Sequence, residues 1–158
     1  MSLHEEQTLS GRLTIELRTP DGRTVTRRQH DNLITTAGKA LVARIFSGEV
    51  TGKPELRIAI GSGPYDARPE DKNLGEPRDE VVATTKQVAI VSEEGQQRAL
   101  ATVTATFPPL GDGRQELHEA GIVIRFPNLD PVLYNRVTFG SITRTGNLDM
   151  TLTWEVLF

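Results

Sequence analysis

The chain has 158 residues, a quarter of them charged, a net charge of −3 and no cysteine. A single domain of that length can hide roughly 70% of its unfolded surface. The slight negative charge offers no general pull towards nucleic acid or anionic lipid, and no apolar run approaches the ~20 residues of a membrane span. The lack of cysteine excludes disulfides, thiolate nucleophiles and cysteine-ligated zinc.

Residues 1–10 read as a flexible, polar arm without the apolar stretch of a secretory signal, so synthesis in a cytoplasm is expected; residues 11–158 read as one domain. Leu13, Ile15 and Leu17 alternate with Thr14, Glu16 and Arg18, the period of a strand with one wet face. Pro20-Asp21-Gly22 supplies a turn, and Arg23–Arg28 closes a hairpin. Thr36–Phe46 is the one predicted helix, with Thr35 or Thr36 as N-cap, Ala37, Leu41 and Ile45 on a stripe, and Ser47-Gly48 as the stop.

Leu56, Ile58 and Ile60 form a strand that runs into Gly61-Ser62-Gly63. The Pro64–Arg78 stretch, rich in Pro, Gly and charge, predicts a long loop. Val81–Val91 and Arg98–Phe107 predict two strands joined by a polar turn. The second presents a small-residue face, Ala99, Ala101, Val103, Ala105 and Phe107, suited to close approach of another sheet or subunit. Leu117–Phe126 and Val132–Phe139 are the next strands, parted by Pro127–Pro131. Leu148–Phe158 closes the chain with the strongest alternation, placing Met150, Leu152, Trp154, Val156 and Phe158 inward and leaving a long terminal edge. The expected fold is mainly β: an antiparallel sandwich or barrel-like domain with one short helix at about 36–46.

The search for chemistry is negative. Gly61-Ser62-Gly63 follows an apolar strand, but a phosphate loop needs a downstream Gly-Lys-Ser/Thr or an immediate helix, and Pro64-Tyr65-Asp66 follows instead. His118-Glu119 lacks the second histidine of a zinc helix. Asp66, Glu70, Asp71 and Glu76 do not match a calcium loop, and Arg68, Lys72 and Arg78 dilute their charge. No Gly-x-Ser-x-Gly elbow is present. Arg23, Arg27, Arg28 and His30 form a basic patch without interleaved aromatics, which reads as a solvated strand face or one that meets a partner's acidic side. No catalytic residue, metal or cofactor is expected.

Six segments, in order, carry a resemblance: Asn32–Leu41, Leu56–Gly63, Leu74-Gly75-Glu76-Pro77-Arg78, Leu117–Ile122, Leu133–Phe139 and Leu148–Phe158. The series resembles small structural proteins of tailed bacteriophages, prophages and related contractile injection particles, described as virion, tail, fibre or baseplate components. That resemblance covers about Leu13–Phe158. It implies a non-enzymatic self-assembling subunit, made in a bacterial cytoplasm and residing in a virion or phage-like particle. Its partners would be other particle proteins and copies of itself, with the tail or baseplate slightly favoured over capsid decoration.

The resemblance also marks Glu119, Gly121 and Arg136 as structural positions, with a Glu119–Arg136 ion pair expected between two strands. Trp154 joins them as an inward structural residue, and Tyr65, Asp66 and Arg68 form a possible interaction loop. From another class comes a carbohydrate- or receptor-binding module, for which Tyr65 is the best-placed aromatic for stacking on a glycan, ahead of Tyr134 and Trp154.

Overall fold

The computed structural model describes residues 10–158 as two facing antiparallel sheets and one short helix. The arm expected at the N-terminus lies outside the described residues, apart from Ser10, which opens the first strand. The first sheet has the order β2-β1-β11-β7-β6, built from β1 (Ser10–Arg18), β2 (Thr24–Asp31), β6 (Thr85–Glu93), β7 (Gln96–Phe107) and β11 (Asp149–Leu157). The second has the order β3-β10-β8-β4-β5, from β3 (Leu33–Ile34), β4 (Glu55–Gly61), β5 (Pro77–Val82), β8 (Arg114–Arg125) and β10 (Asn135–Thr145), with β9 (Val132–Leu133) also on β8.

The core lies between the sheets, where alternate residues of both inner faces meet. Leu13 and Ile15 of β1, Ala105 and Phe107 of β7, and Leu152 and Trp154 of β11 pack against Ile58 and Ile60 of β4 and Ala120 and Ile122 of β8. Burying a large aliphatic or aromatic side chain contributes about 1.5–3 kcal/mol, so this layer is the main source of stability. Both sheets keep edges, so the architecture is an open sandwich and not a closed barrel.

Several sequence expectations change. Val81–Val91 is not one strand: β5 pairs with β4 and β6 with β7, and the chain crosses between the sheets at Ala83-Thr84. Val132–Phe139 is likewise divided, and β10 continues to Thr145. Leu148–Phe158 is not an edge, because β11 pairs along its length with β1 on one side and β7 on the other. Phe158 falls past the strand and is 38% exposed, although its backbone still pairs with Ala99.

The helix α1 (Thr36–Phe46) is capped by Thr35, whose hydroxyl accepts from the Gly38 amide at 2.9 Å and donates to the Leu133 carbonyl at 2.6 Å. Its expected stripe is shorter than the periodicity suggested. Gly38 and Leu41 are buried, whereas Ile45 and Phe46 in the last turn are exposed, Phe46 almost completely. The basic patch also divides. Arg27 lies opposite Glu16, while Arg28 donates to the Gly140 carbonyl at 3.2 Å and His30 stacks on Phe139, so both turn towards the other sheet.

Candidate functional site

The outer face of the second sheet holds, among the described residues, a dense cluster of buried polar groups. On β8, Ala120, Ile122 and Ile124 face the core, so Glu119, Gly121 and Val123 must face outward. Register then places Gly61 of β4 directly opposite Glu119 and Ala59 opposite Gly121. On the other side of β8, Leu133 pairs with Val123 and Val137 with Ala120, so four steps along one strand oppose three on the other. That extra residue is a bulge. Asn135 fills the gap in the ladder by accepting the Ile122 amide on its side-chain oxygen at 2.7 Å, and Arg136 is turned outward beside Glu119.

Glu119 is fully buried, yet each carboxylate oxygen is doubly occupied. One accepts from the amides of Gly63 at 2.8 Å and Glu76 at 2.7 Å. The other accepts from the Gly75 amide and from Arg136 Nε, both at 2.8 Å. The Arg136 guanidinium, itself buried, also donates to the carbonyls of Tyr65 at 2.9 Å and Asp66 at 3.2 Å, and to the Asp71 carboxylate at 3.0 Å. Asp71 in turn caps the Arg68 amide at 2.8 Å. Buried charges persist in folded proteins when they are paired and hydrogen-bonded, and this cluster meets both conditions.

The consequence is a loop held from inside. Residues 62–76 leave β4 and return to β5 with the neck closed by the Ser62 amide on the Glu76 carbonyl at 2.9 Å. The Thr36 amide at the start of α1 holds the Pro69 carbonyl at 2.8 Å. Leu74 drops onto Ala59 and Leu133 as a small second apolar cluster.

The glycines fit the same purpose. A Cβ on Gly61 or Gly63 would stand 2.5 or 2.6 Å from the Glu119 carboxylate, and one on Gly121 would stand 2.5 Å from the Asn135 carbonyl. Gly61-Ser62-Gly63, excluded above as a phosphate loop, does help build an anion cradle. The anion is the chain's own carboxylate.

The sequence-selected residues sort as follows. Glu119, Gly121 and Arg136 meet in this clamp, and Tyr65 and Asp66 join through their carbonyls. The Tyr65 ring itself is 71% exposed, beside a shallow cleft of about 290 Å³ lined by Asp66, Arg68, Asp71 and Asn73. Trp154 is remote from the clamp, in the inter-sheet core. His118 and Glu116 lie apart, along a second cleft with Ser62, Arg78 and Arg114.

Sequence reasoning missed Asp71 as the second carboxylate on Arg136 and missed Arg144 altogether. Arg144 is buried over the Phe107 ring, 5.5 Å from its centroid, and donates to Gln115 at 2.9 Å and to the Pro108 carbonyl. Only the alternation of Ile142 and Arg144 with the polar Ser141, Thr143 and Thr145 could have flagged it.

Chemically, the clamp is a stiffening device. All four hydrogen bonds of Glu119 are internal, so the carboxylate has no face left for a substrate. Among the described residues no cluster of three His, Asp or Glu side chains is placed to hold a metal, and no helix is long and apolar enough to cross a membrane. Set against known families, curated proteins and solved structures, the chain matches none.

Proposed function

We propose that the protein is a non-enzymatic structural subunit of a tailed-phage virion or phage-tail-like particle, at the tail or baseplate, working through contacts with other particle proteins. One observation carries the reading. Of the separate segments that bear the resemblance, those around Gly61–Gly63, Gly75-Glu76, Glu119–Gly121 and Arg136 converge on a single buried clamp, Thr36 holds the loop that it anchors, and Leu148–Phe158 lies apart in the inter-sheet core. What those segments share is thus a device for fixing a loop on a sheet, which is what a subunit presenting a rigid surface to its neighbours needs. Buried ion pairs add little net stability relative to well-packed apolar residues, so on this reading the pair serves to fix one loop geometry.

The test is composition. Mass spectrometry of gradient-purified particles from the producing strain should find the chain at a fixed ratio to sheath, tube or baseplate proteins, and its genes should adjoin theirs. A fixed ratio to capsid protein in tail-less heads would move it to head decoration. Absence from both would end the proposal. A second reading, glycan binding, is favoured by the exposed Tyr65 ring beside its cleft. A glycan array with wild type and Tyr65→Ala tests it, and no binding by either rejects it.

A further inference from the structure

The sheets end in four edges among the described residues: β2 and β6 in the first, β3 and β5 in the second. An open edge is a template for another strand unless it is short, charged or interrupted by proline. Three of the four are protected in that way. β2 carries Arg27, Arg28 and Asp31, β3 is two residues long, and β5 begins at Pro77 and continues with Arg78, Asp79 and Glu80.

The fourth is not. β6 runs for nine residues without proline, and no charge falls between Lys86 and Glu93. Its middle is Val88-Ala89-Ile90-Val91, and Val88 and Ile90 are 74% and 68% exposed. Pairing with β7 sets Val88 opposite Ala101 and Ile90 opposite Ala99, so both point to the core side of the sheet. The second sheet does not reach that far. Ala99 and Ala101 are only partly covered, and Phe158, paired with Ala99 through the backbone, is also part-exposed. The result is an apolar strip, Val88, Ile90, Ala99, Ala101 and Phe158, alongside an unpaired strand edge.

We propose that β6 pairs with β6 of a second copy of this chain, antiparallel across a two-fold axis at Ala89, joining the two first sheets into one. The ends of the strand favour this occupant and direction. Lys86 stands at one end and Glu93-Glu94 at the other, so antiparallel pairing brings opposite charges together and parallel pairing would bring like charges together. A two-fold axis perpendicular to the sheet keeps each face on its own side, so only registers pairing residues of equal parity are allowed. Centring on Ala89 sets Val88 against the partner's Ile90 and Gln87 against the partner's Val91. The exposed apolar pair of each copy is then covered by that of the other, as an isologous interface requires. This inference rests on the free edge alone and stands whether or not the chain belongs to a particle.

The test uses the full chain. Sedimentation equilibrium should show a monomer–dimer equilibrium at concentrations on the order of micromolar, as fits a small interface. Ile90→Lys, at an exposed position, should shift the protein to monomer and match the wild-type melt at concentrations too low for the wild type to dimerise. Because the chain has no cysteine, Ala89→Cys introduces the sole thiol. Opposed Cα atoms in an antiparallel pair lie about 4.5–5.5 Å apart, inside the ~4.4–6.8 Å span of a disulfide, so mild oxidation should cross-link this variant. Gln87→Cys alone should not cross-link, but a mixture of Gln87→Cys and Val91→Cys should. A wild type that stays monomeric at every concentration overturns the proposal. So does a dimer that survives Ile90→Lys, or cross-linking of Gln87→Cys alone as readily as Ala89→Cys.

Discussion

Replacing Glu119 by alanine removes the acceptor for three loop amides and for Arg136 in one step. The Gly63 amide stays buried and the part-buried Gly75 and Glu76 amides lose their acceptor, while the buried guanidinium keeps its charge beside only Asp71 and two carbonyls. Removing one partner of a buried ion pair costs about 3–5 kcal/mol, against a total stability for such domains of about 5–15 kcal/mol. At roughly 2–4 °C per kcal/mol for a chain of this size, Tm should fall by about 6–20 °C. Glu119→Gln should cost nearly as much. Each carboxylate oxygen faces two donors, so the amide NH2 must oppose a pair of them in either orientation.

Two assays separate this account from a generic core defect. Hydrogen exchange should show the amides of Gly63, Gly75 and Glu76 losing protection in Glu119→Ala while strand β11 keeps its own. A double-mutant cycle with Arg136→Met should give a loss clearly smaller than the sum of the single losses, because the double variant has no unpaired charge at Arg136. A Tm change below about 3 °C, with the three amides still protected, would refute the clamp as the anchor of the loop.

Gly121→Ala places a methyl 2.5 Å from the Asn135 carbonyl and 2.8 Å from Leu133 Cδ1. An overpacking cost of about 1–3 kcal/mol should appear in denaturant melts, and an unchanged midpoint would contradict the close approach. His30 has its imidazole held below the usual value by burial and, secondarily, by Arg28, with Asp31 opposing. As pH falls through the unfolded value of 6.5, the unfolded chain takes up a proton that the folded one resists, so stability declines. Tm measured from about pH 7.5 to 5.5 should fall less steeply in His30→Gln than in wild type, and identical slopes would exclude this group. Deleting Trp154–Phe158 removes half of a central strand on which both β1 and β7 depend. It should abolish the cooperative melt, and a soluble truncated chain that still melts cooperatively would show that β11 is dispensable.

Much of the fold is written locally. Leu13-Thr14-Ile15-Glu16-Leu17 and Met150–Val156 alternate so cleanly that strand, buried face and wet face follow from side-chain period alone. The helix was bounded by its cap and by Gly48, which adopts φ 80° just past its end. Where the sequence misled, the deciding interaction was distant. Val81 to Val91 looks continuous because no turn residue interrupts it, yet Val81 belongs opposite Ile58 and Val88 opposite Ala101, in different sheets.

The clamp shows the same division. Two glycines around Ser62, an acidic residue before Ala-Gly and an arginine after Asn135 are all visible in one dimension. That Glu119 would occupy the cradle made by Gly63, Gly75 and Glu76 depends on the register of β4 against β8 and on one bulge residue in the strand beside it. Periodicity depends only on neighbours along the chain, so sequence determined which residues have a buried face. Pairing partners, sheet edges and the exposed apolar strip of β6 depend on which strands meet across long separations, and only the tertiary structure decided those.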